Sequence, residues 1–307
     1  MVSWDTLPFS LRQLQYLVAV ADLGGFRKAA DACSVAQPSL SAQVAQVEQA
    51  LGVQVFERHA RGVRVTPAGA KVIDRARAVV LAARDVVDTA QRHRDPLRGS
   101  LRIGVIPTVC PYLLPEVATP LSTALPGLRV LWNEDKTTAL LAALGDARID
   151  AAIVADDDRV GHLATALLGD DPFVLASAPG HALARRTGPV SPDVLDGATV
   201  FLLDDGHCFR DQALAVCGAH GAHAADLKAT GLSTLVQMVA AGDGVTLLPR
   251  MAVAVENRRS QLAVRTFRSP APMRRVVLAW RKGSALATPL EAVARVIHKA
   301  WPAVEGR

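Results

Sequence analysis

The chain has few cysteines, four in 307 residues, and no two of them at the short spacing that binds zinc. It also lacks a His-x-x-x-His pattern and a glycine-rich phosphate loop, so we expect no metal and no cofactor. No run free of charged residues reaches the 18 or so residues that cross a membrane. The start, Met1-Val2-Ser3-Trp4-Asp5, does not resemble a signal peptide. These absences predict a cytoplasmic protein without a membrane segment, in which a disulfide would be transient.

What is present is a globular composition with an uneven distribution of charge. Half of the residues are hydrophobic and 21% are charged, and the length predicts two or three domains. Residues 1–98 contain 13 Lys/Arg and 9 Asp/Glu, whereas residues 99–307 contain 21 and 20. A basic first third joined to a nearly neutral remainder indicates a nucleic-acid-binding module with a second kind of domain.

Three short helical patterns in the first third predict a helix-turn-helix. Apolar residues at helical spacing over residues 11–20 are followed by an Ala-rich stretch over residues 26–33. A third helix is expected to begin at Gln37-Pro38, because proline suits a first helical turn, and to end at Gly52. Its apolar residues form one stripe, and its other face carries short polar side chains suited to base edges and phosphates.

Two alternating patterns, over residues 53–58 and 62–65, predict a two-stranded wing whose arginines follow the phosphate backbone. We therefore predict a winged helix-turn-helix domain over residues 1–66. The alternative is an ordinary small helical domain with solvated arginines. The candidate DNA-binding residues are Arg27, Lys28, Gln37, Pro38, Ser39, Ser41, Gln43, Arg58, Arg61 and Arg64.

A long helix is predicted over residues 67–96, between Thr66-Pro67 and Asp95-Pro96. Apolar residues recur along it at alternating spacings of 4 and 3. This heptad seam suits a linker helix that pairs with a second copy of the chain. A core helix of a single domain fits the same periodicity equally well.

From residue 99 onwards, strand and helix patterns alternate, which predicts an α/β domain with a doubly wound sheet. The chain is expected to cross between two lobes near residues 169–172 and to return near residues 269–273. This organisation fits a periplasmic-binding-protein-like fold, which holds ligands in a crevice at strand ends. The predicted regulatory domain is residues 99–307, with lobe I at about 99–169 and 273–307 and lobe II at about 170–272.

Two of the four cysteines, Cys208 and Cys217, lie nine positions apart on a predicted helix over residues 209–216. On a continuous helix this spacing places the sulfurs on opposite faces, about 13 Å apart along the axis. A disulfide needs Cα atoms within about 4.4–6.8 Å. The two thiols can therefore pair only if the segment unwinds, which would make a redox switch.

The two thiols are expected to differ in reactivity. Cys208 follows His207 near the start of the helix, where the helix dipole and Arg210 favour a thiolate. Cys217 has neither of these influences nearby, so it suits the role of a resolving thiol. Oxidation of Cys208 to a sulfenic acid would then be followed by condensation with Cys217. The alternative is that both are small buried residues, as free cysteines usually are.

The order of these parts resembles the LysR-type transcriptional regulators over almost the full length, and within them the peroxide-sensing members. The Gly-His-Cys segment, with a second cysteine nine residues on, is specific to the peroxide sensors. Two segments, Phe26–Asp31 and Gln37–Ser41, are shared by the whole family. The other segments that carry the resemblance are Ile106–Val109, Pro111–Pro115, Asp205–Cys208, Arg210–Gln212 and Met238–Gly242.

The resemblance implies that Cys208 is the peroxidatic thiol and Cys217 the resolving thiol. It also implies a double-stranded DNA operator, hydrogen peroxide as the signal, self-association as a dimer of dimers, contact with RNA polymerase and control of antioxidant genes. Cys110 departs from the pattern, since the family's mechanism does not need it. The other positions that match the switch are Thr108 and Thr137, as hydroxyls that hold peroxide or water, and His207, Arg210, Asp211 and Arg275.

Two other functions remain open from the sequence. If the response does not need the two thiols, the chain would instead be a regulator that binds a small metabolite in the crevice. A thiol peroxidase would use the same chemistry catalytically, but an enzyme would not need residues 1–66. We therefore expect a regulator and not an enzyme.

Overall fold

The structure is a computed structural model that describes residues 7–59, 62–92, 95–185, 188–259 and 261–305. The chain divides into two compact units, the first ending at Ala90 and the second beginning at Gln91. Each unit has its own hydrophobic core.

The first unit contains four helices and a two-stranded antiparallel sheet among the residues described. Ser10 and Gln13 form a capping box at the start of its first helix, and Gly52 ends the third helix in the left-handed conformation. Ser34, at φ 54°, makes the turn between the second and third helices. The elements are α1 (Leu11–Leu23), α2 (Phe26–Ala32), α3 (Gln37–Leu51), β1 (Phe56–His59), β2 (Gly62–Val65) and α4 (Pro67–Arg92).

Strand β1 begins three residues later than the alternating pattern predicts. The carboxylate of Glu48 accepts hydrogen bonds from the backbone N–H groups of Val55 and Phe56, at 2.7 and 2.9 Å. The chain leaving α3 is therefore fixed by a side chain of that helix before the ladder with β2 begins.

The apolar side chains of helix α4 differ in burial along its length. Ile73 and Ala76, in its first turns, are buried in the core of the first unit. Further along, Val79 and Val86 are 48% and 70% exposed. The first half of α4 thus packs as a core helix, whereas its second half leaves apolar side chains on the surface.

The second unit is an α/β structure, as the alternation of patterns predicts. Its strands are β3 (Gly99–Val105), β4 (Leu128–Glu134), β5 (Ala151–Ala155), β6 (Ala164–Ser177), β7 (Thr199–Leu203), β8 (His223–Ala229), β9 (Val245–Pro249), β10 (Ala263–Thr266) and β11 (Met273–Trp280). Its helices are α5 (Cys110–Ala124), α6 (Thr137–Gly145), α7 (Cys208–Gly218), α8 (Leu232–Ala241), α9 (Arg250–Glu256) and α10 (Ala287–Glu305).

Strand β6 joins the two lobes of this unit. Residues 164–172 of β6 pair antiparallel with β11, which also pairs with β5. Residues 173–177 of β6 pair with β9 and β10 instead. The strand order is β4-β3-β5-β11-β6-β9-β7-β8, with β10 beside β6. The two-lobed α/β fold is confirmed, although antiparallel β6 and β11 make the sheet mixed.

The sequence patterns missed strands β8 and β10 and the first half of β6. Strand β8 is mostly exposed, and its sequence His-Ala-Ala-Asp-Leu-Lys-Ala has no alternating apolar face. It forms because its backbone pairs in parallel with β7 at the edge of the sheet. Such a strand depends on its neighbour rather than on its own side chains.

Candidate functional site

The candidate functional residues lie where parallel strands of the two lobes end. In lobe I, Thr108 follows β3, Lys136 and Thr137 follow β4, and Arg159 follows β5. In lobe II, the loop after β7 leads to Cys208. The carboxyl ends of parallel strands are the usual place for a site in an open α/β sheet, because their loops converge there.

Cys208 is the first residue of α7 and Cys217 its tenth, and both are almost fully buried. The helix runs from residue 208 to 218, slightly longer than the predicted 209–216, and it is continuous between the thiols. Both cysteines are free. In this conformation the thiols are held apart by about 2.5 helical turns.

Cys208 and Cys217 lie in different electrostatic surroundings. Burial raises the pKa of the Cys217 thiol to about 11, so this thiol stays protonated at neutral pH. Arg159 lies within electrostatic reach of Cys208: the pKa of Arg159 is raised, chiefly by its hydrogen bonds to Asp157 and to a smaller extent by the negative charge of a Cys208 thiolate. Cys208 also sits at the positive end of the α7 dipole.

Thr108 is held by a buried arginine. Nη1 of Arg274 donates to Oγ1 of Thr108 at 2.7 Å, and Nη2 donates to its carbonyl oxygen at 2.9 Å. Nε of Arg274 donates to Asp171, also at 2.9 Å, and neither side chain of this ion pair is exposed. Cζ of the guanidinium also lies 5.5 Å from the centroid of the ring of Phe209, the residue after Cys208. Arg274 therefore links Thr108 of lobe I to the first turn of α7.

This arginine is not the one that the sequence analysis selected. Arg275 is 56% exposed and lies 3.7 Å from Asp156, on the other face of β11. The two residues are adjacent on one strand, so their side chains point to opposite sides of the sheet. The structure places Arg274 against Thr108, and Arg275 near Asp156.

Several buried polar atoms around Cys208 have no hydrogen-bond partner within the described part of the chain. Oγ1 of Thr137 and Oε1 of Gln212 are two of these atoms. Nε2 of His207, Oδ1 of Asp204 and Nε of Arg210 also lack a hydrogen bond, although each lies within 3.3 Å of a group that can carry the opposite charge. Buried polar atoms normally find partners, and Oγ1 of Thr137 and Oε1 of Gln212 can each accept a hydrogen bond from a small polar molecule.

His207 is buried and lies 3.1 Å from Asp204. Its pKa is lowered by burial, and further by the positive charge of Lys136, although Asp204 and the backbone of Thr230 oppose this. We therefore treat His207 as a neutral imidazole, available to exchange a proton near the thiol.

Arg210 and Asp211 lie at the edge of the site. Nε of Arg210 is 3.3 Å from the carboxylate of Asp205. The carboxylate of Asp211 is 3.5 Å from Nη1 of Arg159. Both residues therefore contribute to charge contacts around α7.

Cys110 lies two residues after Thr108 and is buried. Burial, and then a hydrogen bond to Glu134, raise the pKa of its thiol to about 12. Because the thiolate is the reactive form, Cys110 is a poor nucleophile at neutral pH. This favours its interpretation as a spectator.

The residues predicted to contact DNA lie mostly on the surface of the first unit. Ser41 and Gln43 are half-buried on α3. The side chain of Arg58 and the whole of Arg61 lie outside the described residues. Those that are exposed are Arg27, Lys28, Gln37, Pro38, Ser39 and Arg64.

The run of three aspartates after β5 serves local structure. Asp157 caps a short 3-10 turn and bonds Arg159, while Asp156 lies near Arg275. Within the described ranges, no group of three or more metal-ligating side chains is found. No helix in that same part of the chain is long and apolar enough to span a bilayer.

Comparison with known proteins identifies the class to which this fold and site belong. Residues 11–70 match the bacterial regulatory helix-turn-helix protein, lysR family, and residues 94–302 match the LysR substrate binding domain. The chain belongs to the LysR family of DNA-binding transcriptional regulators, which are not enzymes.

Within the family, the chain is similar to proteins named as hydrogen peroxide-inducible genes activators and as OxyR. The chain is 43% identical over 274 residues to a probable hydrogen peroxide-inducible genes activator of Mycobacterium avium, with 88% of each chain covered. It is 39% identical over 290 residues to the DNA-binding transcriptional dual regulator OxyR of Escherichia coli, covering 94% of this chain and 95% of that one.

A solved structure shows the same similarity. The structure of a cysteine mutant of Corynebacterium glutamicum OxyR with bound H2O2 covers 98% of this chain and 97% of its own, at 35% identity and a TM-score of 0.67. Both units of the chain thus have counterparts in a single solved relative.

Proposed function

We propose that this protein is a cytoplasmic transcriptional regulator that senses hydrogen peroxide through Cys208. The observation that carries the proposal is the buried Cys208 at the start of α7, together with the buried oxygens of Thr137 and Gln212, which have no hydrogen-bond partner among the residues that the structure describes. Hydrogen peroxide has two O–H donors and two acceptor oxygens, so it can satisfy both a threonine hydroxyl and an amide oxygen. The relatives named for peroxide responses support the same signal.

The proposed chemistry begins with attack by the Cys208 thiolate on one peroxide oxygen. The O–O bond breaks, Cys208 becomes a sulfenic acid, and the leaving hydroxide takes a proton to form water. Thr108 and Thr137 hold the peroxide by their hydroxyls, and Arg274 orients Thr108. His207, as a neutral imidazole, exchanges the proton with the leaving oxygen.

The second step forms the disulfide. The Cys217 sulfur attacks the Cys208 sulfur, the S–O bond breaks, and the departing hydroxide takes the Cys217 proton as water. One peroxide is reduced to two waters while two thiols are oxidised to one disulfide. Because α7 separates the thiols, the helix must unwind for this step. Reduction by a thiol donor would restore the helix.

The proposed output is a change in DNA binding. The domain assignment is residues 1–66 for DNA, 67–96 for the linker and 99–307 for sensing. The disulfide changes the surface of lobe II, which alters packing between subunits of a dimer of dimers. We propose that this shift changes contact with a double-stranded operator and with RNA polymerase, and so controls antioxidant genes. The exposed Val79 and Val86 on α4 support self-association through that helix.

Trapping of the sulfenic acid tests the sensing step. In a Cys217→Ser variant, which cannot resolve the intermediate, we expect stoichiometric hydrogen peroxide to label Cys208 with a sulfenic-acid-specific carbon nucleophile. Peptide mass spectrometry also reads Cys33 and Cys110 in the same sample as internal controls. Equal labelling of all three thiols, or none at Cys208, would refute the proposal.

DNA binding offers a separate prediction. Replacement of the exposed wing residue Arg64 by alanine should weaken binding to all DNA sequences alike and lower the slope of log K against log salt by about one. The matched control is Arg129→Ala, an exposed arginine on β4 in the second unit, for which no change is expected. The measurement is fluorescence anisotropy at several salt concentrations. A salt slope equal to that of the unaltered protein would remove Arg64 from the DNA contact.

The alternative function, a regulator that responds to a small metabolite, rests on the family's substrate-binding domain. It predicts that a protein with serine at both positions 208 and 217 still responds fully to its effector. The peroxide proposal predicts that this double variant does not respond to hydrogen peroxide.

A further inference from the structure

Two cationic side chains of lobe I reach across the crevice to the segment that carries Cys208. Nζ of Lys136, at the start of α6, lies 2.8 Å from the carboxylate of Asp204 and 2.9 Å from the carbonyl oxygen of Asp205. Arg159 lies 3.5 Å from Asp211. Asp204 and Asp205 precede Cys208 and Asp211 follows it, so lobe I holds this segment on both sides.

Lys136 holds the loop by its aliphatic stem as well as by its ammonium group. Gly206 has φ +92°, and a Cβ built at that position would lie 3.1 Å from Cδ of Lys136. The lysine stem thus packs against the backbone immediately before His207 and Cys208. Because Thr137 is the next residue after Lys136, the same contact keeps the thiol close to the hydroxyl proposed to bind peroxide.

The Cys217 end of α7 is held differently. The carbonyl oxygen of Cys217 accepts hydrogen bonds from the backbone N–H groups of His220 and Ala222, at 3.1 Å each. His220 in turn lies 3.2 Å from Asp193. All of these contacts lie within lobe II, so they do not oppose a movement of Cys208 away from lobe I.

Disulfide formation requires Cys208 to approach Cys217, and the cross-crevice contacts must break when it does. We propose that Lys136, assisted by Arg159, is a positioning residue that clamps the reduced conformation, and that release of this clamp limits the rate of Cys208–Cys217 condensation. This inference rests on the proposed function and adds a rate-setting contact to it. The bond changes are those of the condensation step, in which water leaves as the disulfide forms.

The clamp is electrostatic and partly open to solvent. The side chains of Lys136 and Asp204 are 36% and 32% exposed, and Lys136 lowers the pKa of the Asp204 carboxyl. Salt should therefore weaken the pair. A contact that only fills space would not respond to salt, so ionic strength distinguishes the two roles.

The experiment compares two lysine-to-methionine variants of the full chain, each of which keeps the aliphatic stem and removes the charge. Lys136→Met breaks the cross-crevice contact. Lys228→Met is the control, because Lys228 contacts the same acidic loop, at 3.1 Å from Asp205, from within lobe II. Each protein receives a pulse of excess hydrogen peroxide, and the appearance of the Cys208–Cys217 disulfide is followed by rapid quench and mass spectrometry.

We expect the disulfide to form about 1.4-fold to fivefold faster in Lys136→Met, the range for a partly exposed ion pair, and at an unchanged rate in Lys228→Met. Raising the salt concentration should accelerate the unaltered protein more than Lys136→Met, in which only the Arg159–Asp211 contact of the clamp remains to be weakened. Sulfenic acid formation, measured separately in the Cys217→Ser background, should change less than the condensation rate does.

A condensation rate in Lys136→Met equal to or below that of the unaltered protein overturns the clamp. Asp204→Asn weakens the same contact from the other lobe and replaces Lys136→Met if that variant fails to fold. A faster condensation rate in Asp204→Asn supports the clamp, and a rate equal to or below that of the unaltered protein overturns it. If the unaltered protein forms no Cys208–Cys217 disulfide at all, the proposed function fails instead. The two failures are therefore distinct.

Discussion

Replacement of Cys208 by serine is expected to abolish the response to hydrogen peroxide entirely. A serine hydroxyl is almost unionised at neutral pH and does not form the sulfenic acid on which the later step depends. Serine is close to cysteine in size, and Cys208 is buried at the start of a helix, so the fold should persist. The measurement is the peroxide-dependent change in operator binding, from the full change in the unaltered protein to none in the variant.

Cys110→Ser is the matched control for this prediction. It makes the same chemical change at another buried thiol, one whose pKa is raised to about 12 and which is therefore unreactive near neutral pH. We expect this variant to respond like the unaltered protein. A Cys208→Ser protein that still responds to peroxide, or a Cys110→Ser protein that does not, would reverse the assignment of the sensing thiol.

The second large effect is expected at Asp171. Its carboxylate and the guanidinium of Arg274 are both fully buried, and Asp171 also accepts a hydrogen bond from the N–H of Met251 at the start of α9. Asp171→Ala leaves the arginine charge buried without its partner, which typically costs about 3–5 kcal/mol in the free energy of unfolding. Urea denaturation of the unaltered and variant proteins measures this loss.

An aspartate in an exposed ion pair provides the control for the prediction at Asp171. Asp146, 3.3 Å from Arg148, belongs to an ion pair on the surface, and Asp146→Ala should change the free energy of unfolding by less than about 1 kcal/mol. If Asp171→Ala costs no more than Asp146→Ala, then Arg274 does not depend on Asp171. The orientation of Thr108 would then need another explanation.

The sequence predicts the local parts of this molecule well because they depend on neighbouring residues. The start of α3 at Gln37-Pro38, its end at Gly52 and the helix between Cys208 and Cys217 all follow from capping residues and periodicity. Strand β8 could not be predicted in this way, since it depends on pairing with β7 rather than on an apolar face of its own.

The site is less predictable than the helices, because lobe I and lobe II contribute to it from distant parts of the chain. Strand alternation shows that Arg274 and Arg275 face opposite sides but does not show which side faces Thr108. Lys136 and Arg159 stand in loops with no distinctive motif, and only the folded sheet brings them beside Cys208. Gln212 was not predicted as a site residue, although it belongs to the Arg-Asp-Gln segment that carries the resemblance. Its position one helical turn after Cys208 was the signal that places it on the same face of the helix as that thiol.

The central claim is that peroxide converts Cys208 and Cys217 from two separated thiols into one disulfide. The most direct test treats the reduced protein briefly with stoichiometric hydrogen peroxide, alkylates the remaining free thiols at the quench and maps the crosslinks by peptide mass spectrometry. The account predicts a Cys208–Cys217 crosslink at micromolar peroxide, with Cys33 and Cys110 still alkylated. Recovery of all four cysteines as alkylated thiols would contradict it.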